Sequence, residues 1–117
     1  MFKRGDREHL KDMLMACENI EDYLLGYDFD DFMDDRKTQD AVVRNIEILG
    51  EASKNISVEL KEKYPEVEWN DIARTRDKLI HSYFGVDLDI VWEISRNDIP
   101  RLRKQILDIL HSEGWMS

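Results

Sequence analysis

"WNDIARTRDKLIHSYFG" runs from Trp69 to Gly85, and its reading decides the fold class. At about 100° per residue, Trp69, Ile72, Ala73, Arg76, Leu79, Ile80 and Tyr83 share one face. An apolar stripe of that period predicts an amphipathic helix, running to about Phe84 and stopped by Gly85. Asn70 is placed to cap it, with Asp71 favourable in its first turn. Arg76 breaks the pattern: it lies near the middle of the stripe, where a core-facing side chain belongs. Tyr83 is two turns away, almost in line with Arg76. His81 lies about 140° round from Arg76 on an ideal helix, so it flanks the stripe.

Working outward, every neighbouring segment also carries a helical period. Towards the C-terminus, Asp87 is placed to cap a last helix, with Asp89 in its first turn. Leu88, Val91, Ser95, Ile99, Leu102, Ile106 and Ile109 form its seam. Pro100 lies inside and predicts a kink, because it removes a donor and crowds the preceding turn; a break into two helices is the alternative. Trp115 belongs to a short tail of unassigned order. Towards the N-terminus, Ser57 to Asn70 reads as a connection with one short helix, broken by Pro65.

A helix is predicted from about Thr38 to Ile56, with Val42, Ile46, Leu49, Ser53 and Ile56 on its seam. Gly50 sits in its middle, where Gly costs about 1 kcal/mol relative to Ala. Close approach by a neighbouring helix explains that choice. Arg44, Glu47, Glu51 and Asn55 form a separate polar stripe, most simply a solvated or ion-paired face, with an interface role as the other reading. "DFDDFMDD" (Asp28 to Asp35) lacks the Gly and terminal Glu of a calcium loop and reads as a solvated acidic turn. The first helix spans about Asp6 to Leu25, with Leu10, Met13, Leu14, Cys17, Ile20 and Leu24 on its seam and Gly26 as a stop.

No strand pattern or repeat interrupts this series. The expectation is an all-α fold: a single domain over residues 1–117, an up-and-down bundle of four main helices plus a short one. Two prolines and five glycines in 117 residues agree with long helices. The lone cysteine, Cys17, excludes an internal disulfide, lies on an apolar seam, and fits a reducing, cytoplasmic setting. No apolar run is long enough for a membrane span. A net charge of −9 argues against a general nucleic-acid coat, since phosphate contacts need local cations. It leaves room for an RNA enzyme with a small basic patch, for which Arg74, Arg76, Lys78 and Lys54 are candidates.

Periodicity leaves two readings of Arg76 open. In one, its stem covers apolar surface and its head pairs with a carboxylate, while His81 and Tyr83 are ordinary helix-end residues. In the other, the stripe lines a cleft or a two-fold interface, where Arg76 faces an anion and His81 exchanges protons. His9 and His111 read as surface residues, and the three histidines show no metal-ligand spacing.

The stretch from Arg76 to Tyr83 carries R-x4-H-x-Y. Together with "RNIEILGEASKNIS" (Arg44 to Ser57), "WNDIARTRDKLIHSYFGVDLDIVWE" (Trp69 to Glu93) and "NDIPRLRKQI" (Asn97 to Ile106), it resembles the HepT-like toxins of the HEPN superfamily. The similarity spans most of the chain from the second helix onward. The resemblance implies an all-α HEPN bundle that forms a homodimer. It implies a metal-independent endoribonuclease, the toxin of a type VII toxin–antitoxin pair. Its partner would be an MNT-type nucleotidyltransferase that uses ATP to attach AMP to the motif tyrosine; the toxin itself needs no cofactor. Carried onto this sequence, Arg76 and His81 are the catalytic pair and Tyr83 is the AMP acceptor. Two other functions compete: a non-catalytic helical partner of a nucleotidyltransferase, and a structural dimer without a site.

Overall fold

The computed structural model describes residues 4–80 and 87–116. His81, Tyr83 and the expected helix stop at Gly85 lie outside the described residues. All regular structure in the described residues is helical. The elements are α1 (Asp6–Tyr23), α2 (Phe29–Met33), α3 (Arg36–Lys54), α4 (Val58–Lys63), α5 (Trp69–Ile80), α6 (Leu88–Glu93), a π turn (Ile94–Asp98) and α7 (Ile99–Ser112). None of these helices is long and apolar enough to cross a membrane.

The predicted seams meet in one core. Leu10, Met13, Cys17 and Ile20 of α1 are buried with Val42, Ile46 and Leu49 of α3 and with Val91, Ile99, Leu102, Ile106 and Ile109. Burial pushes the Cys17 thiol up to about 12, as befits a small core residue. α1 packs between α3 and α7, and α3 packs between α1 and α5. An inter-helix amide bond, Asn19 Nδ2 to Asn45 Oδ1 at 3.1 Å, ties α1 to α3. α5 therefore rests chiefly on α3. A groove of about 970 Å³ separates it from the π turn and α7.

Three local expectations need correction. The acidic stretch is not merely a solvated turn, because it folds into α2. Asp28 caps that helix by accepting from the Asp31 N–H at 2.8 Å. Phe32 is fully buried, its ring 5.4 Å from that of Trp92. One buried aromatic outweighs the surrounding aspartates, of which Asp28, Asp30, Asp31 and Asp34 stay exposed. Asp35 caps α3, so α3 begins at Arg36 rather than Thr38. The hydroxyls of Tyr27 and Thr38 and the Thr38 N–H hold the Asp35 carboxyl down to about 2.

Asn70 does not cap α5. The helix starts at Trp69, whose indole N–H donates to the Tyr64 carbonyl, and the Glu68 carbonyl accepts from Ile72. With Trp69 buried, the helix begins two residues ahead of the start that an Asn70 cap implies. Pro100 leaves α6 and α7 joined as one irregular helix. The turn before it widens to π spacing, and the backbone stays in the α region at Ile94, Asp98 and Ile99. A wide turn accommodates the missing proline donor without a break. Asp87 caps α6 as expected. The tail holds Trp115 half-buried against the core. Gly114 takes a φ of +74°, and Trp115 N–H reaches back to the Leu110 carbonyl.

Candidate active site around Arg76

The site starts from a missing side chain. α5 crosses α3 at Gly50, and a Cβ at position 50 would lie 2.1 Å from the Cβ of Arg76 and 2.6 Å from its Cγ. The glycine thus opens a notch in α3, and the stem of Arg76 fills it. This explains both oddities of the sequence at once: a glycine in mid-helix and an arginine in an apolar stripe. With the stem fixed, the guanidinium emerges beside α3, its side chain only 24% exposed.

Two carboxylates hold the head. Glu51 Oε2 lies 3.3 Å from Nη2, and Asp77 Oδ1 lies 3.1 Å from Nη1. Asp77 also accepts from Lys54 Nζ at 2.6 Å. Lys54 first, and then Arg76, keep the Asp77 carboxyl below the usual carboxylate range. Nε of Arg76 is buried and has no hydrogen-bond partner among the described residues. Glu51 is itself 57% exposed, so a better anion can displace it without disturbing the core.

Arg76 opens on a second groove, of about 330 Å³, between α1 and the outer face of α3. Its walls carry Arg4, His9, Arg44 and Arg76 against Asp12, Glu47 and Glu51. Arg4 pairs with Asp12. Arg44 is 70% exposed, and Glu47 lies 3.7 Å away, beyond hydrogen-bonding distance.

The structure redistributes the predicted site residues. Arg76 is in a groove, beside carboxylates that do not fully satisfy it. His81 and Tyr83 lie outside the described residues. The basic cluster does not act as one patch: Arg74 pairs with Asp71, and Lys54 is held by Asp77. His111 is exposed as expected, but His9 is half-buried in the groove of Arg76 rather than on open surface. Sequence reasoning missed that juxtaposition, since residues 9 and 76 share no local period. The polar stripe of Arg44, Glu47, Glu51 and Asn55 was visible, and all four line this groove.

Helical architecture and a groove built around the arginine of R-x4-H-x-Y define a HEPN-type bundle. The chain belongs to the ribonuclease HepT-like family, whose model matches residues 13–109. It is 48% identical to "Probable ribonuclease HepT" of Thermococcus cleftensis, over 87% of this chain and 93% of that one. It is 44% identical to "Putative RNase MJ0127" of Methanocaldococcus jannaschii, over 94% of this chain and 91% of that one. A relative from Caldanaerobacter subterraneus, "Putative RNase TTE0752", is 45% identical over 92% of this chain and 96% of its own length. No solved structure matches the chain at a significant level.

Proposed function

We propose that this protein is a metal-independent endoribonuclease, the toxin of a type VII toxin–antitoxin pair. One observation carries the reading. A mid-helix glycine, costing about 1 kcal/mol of helix stability, makes room for the stem of one particular arginine. Surface ion pairing alone does not call for such a seat. An arginine held in place and only loosely neutralised suits a phosphate that gains charge in a transition state.

RNA supplies its own nucleophile, the 2′-hydroxyl. His81 moves a proton at the attacking or leaving oxygen, and Arg76 holds the phosphate. Tyr83 accepts AMP from an MNT-type nucleotidyltransferase, which spends the ATP. The added phosphate and nucleoside then occupy the cleft and repel substrate, silencing the toxin. The working form is a cytoplasmic homodimer with α5 near the two-fold axis, checked by light scattering; a monomer that cleaves RNA would remove the dimer from the mechanism.

The deciding experiment incubates purified, unmodified protein with RNA in the presence of EDTA. Cleavage is expected, and Arg76→Ala and His81→Ala abolish it while circular dichroism stays native. No cleavage by the folded wild type would leave a non-catalytic partner of a nucleotidyltransferase. Tyr83→Phe retains cleavage but gains no AMP mass after incubation with partner and ATP. An AMP increment on that variant would place the acceptor elsewhere.

A further inference from the structure

The polar stripe on α3 has no part in the chemistry above, yet it is not a plain solvated face. Arg44 and Glu51 are seven residues apart on α3, about 10 Å along the helix axis. Both line the groove that contains Arg76. His9 enters from α1 on the opposite wall. The groove thus gathers three arginines and a histidine from the start of the chain, α1, α3 and α5, against three carboxylates, in a chain of net charge −9. The larger groove beside α5 has three cations against five carboxylates. A polyanion entering towards Arg76 therefore meets far less repulsion along α3 than from the α7 side.

Two side chains are ready to receive it. Arg44 has most of its side chain in water and no hydrogen-bonded carboxylate. His9 has no acidic partner among the described residues, and it is half-buried in the wall of the groove. Arg4, by contrast, is already tied to Asp12.

We propose that the groove between α1 and α3 is the RNA-backbone track of this protein, with Arg44 and His9 binding phosphates next to the one held by Arg76. This rests on the ribonuclease reading and adds the substrate-binding residues to it. Both side chains bind sequence-independent phosphate oxygens, so they set affinity and register rather than base choice.

The test uses a fluorescein-labelled, fully 2′-O-methylated oligouridylate, which lacks the nucleophile and stays intact. Fluorescence anisotropy is measured over a salt series for wild type, Arg44→Ala, Arg44→Glu, Arg44→Lys and His9→Ala. Arg44→Ala is expected to weaken binding roughly fivefold and to lower the salt slope by about 0.7, the value for one phosphate on a single strand. Arg44→Glu binds more weakly still, and Arg44→Lys restores the slope. On cleavable RNA, Arg44→Ala and His9→Ala raise KM and leave kcat near wild type. Arg101→Ala, in the other groove, changes neither. Arg44 is exposed, so melting curves should match wild type. A wild type that cleaves RNA, with unchanged affinity and slope in Arg44→Glu and His9→Ala, overturns the track and leaves the ribonuclease reading standing. The track also fails if Arg44→Glu spares RNA binding but blocks silencing by the nucleotidyltransferase, because the groove is then a protein interface. A folded wild type that neither binds nor cleaves RNA overturns both readings.

Discussion

α5 has a groove on either side, and the two differ in kind. Towards α7 the groove is wide, with an apolar floor of Ile46, Leu49, Ile72, Ile99 and Leu102. Two of its cations sit beside their own carboxylates: Arg74 with Asp71 and Arg101 with Asp98, each three residues apart on one helix. Such pairs form from local sequence and contribute little, typically up to about 1 kcal/mol. Towards α1 the groove is narrower, and its cations come from separate elements. Arg76 meets Glu51 across the helix–helix contact as well as Asp77 on its own helix. The basic cluster seen in the sequence is split by the fold: Arg74 and Lys78 line the wide groove and Arg76 the narrow one. Arg44 too has a carboxylate three residues along its own helix, but Glu47 lies 3.7 Å away, farther than the partners of Arg74 and Arg101, so Arg44 is the less neutralised of the three.

The largest expected effect separates the sides directly. Arg76→Ala abolishes measurable cleavage, a loss at or beyond the about 10²–10³-fold usual for one transition-state donor, while Arg74→Ala, two residues away on the other side, stays near wild type. Rates on RNA, with melting as a control, check this. An Arg74→Ala loss equal to that of Arg76→Ala would move the site to the wide groove.

Gly50→Ala should be next. The new methyl collides with the Arg76 stem, and overpacking of this kind costs about 1–3 kcal/mol, partly offset by the helix propensity of alanine. Urea denaturation should show destabilisation, and cleavage should fall because α5 and Arg76 shift together. Unchanged stability with full activity would mean that the notch does not position Arg76.

Arg101→Ala sharpens the contrast from the other side. It removes only the exposed pair with Asp98, so stability should change by no more than about 0.5 kcal/mol, measured by urea denaturation.

The smallest effect concerns pH. Lys54 and Arg76 hold the Asp77 carboxyl below its ordinary value, so its contribution is full above the unfolded carboxylate range, near 4. That contribution fades as pH falls through the lower folded value. Asp77→Asn should therefore flatten part of the acid limb of the stability curve below about pH 4 and leave its shape near neutrality unchanged. Thermal melts across pH test this, and an unaltered acid limb would show that the contact between Asp77 and its cations is negligible.

Much of the fold was legible in the sequence because helical burial has a period. The seams of α1, α3 and α7 are the residues found buried, and Asp87 caps as its type and position indicate. Gly50 announced a close approach, since a glycine inside a helix needs a reason. The misreadings arose where one nonlocal contact outweighed local composition. Phe32 made a helix out of an acidic stretch by burying itself beside Trp92, and Trp69 set the start of α5 ahead of Asn70.

The sequence by itself determined that the chain is helical, which faces are apolar, and that Arg76 stands out of place. Only the tertiary structure decided what Arg76 faces. It seats the stem on Gly50, sets Glu51 against the head, and brings His9 and Arg44 to the same groove. The physical reason is range. Periodicity and capping act within a few residues, whereas the electrostatics of a groove depend on which charges packing brings together from distant parts of the chain.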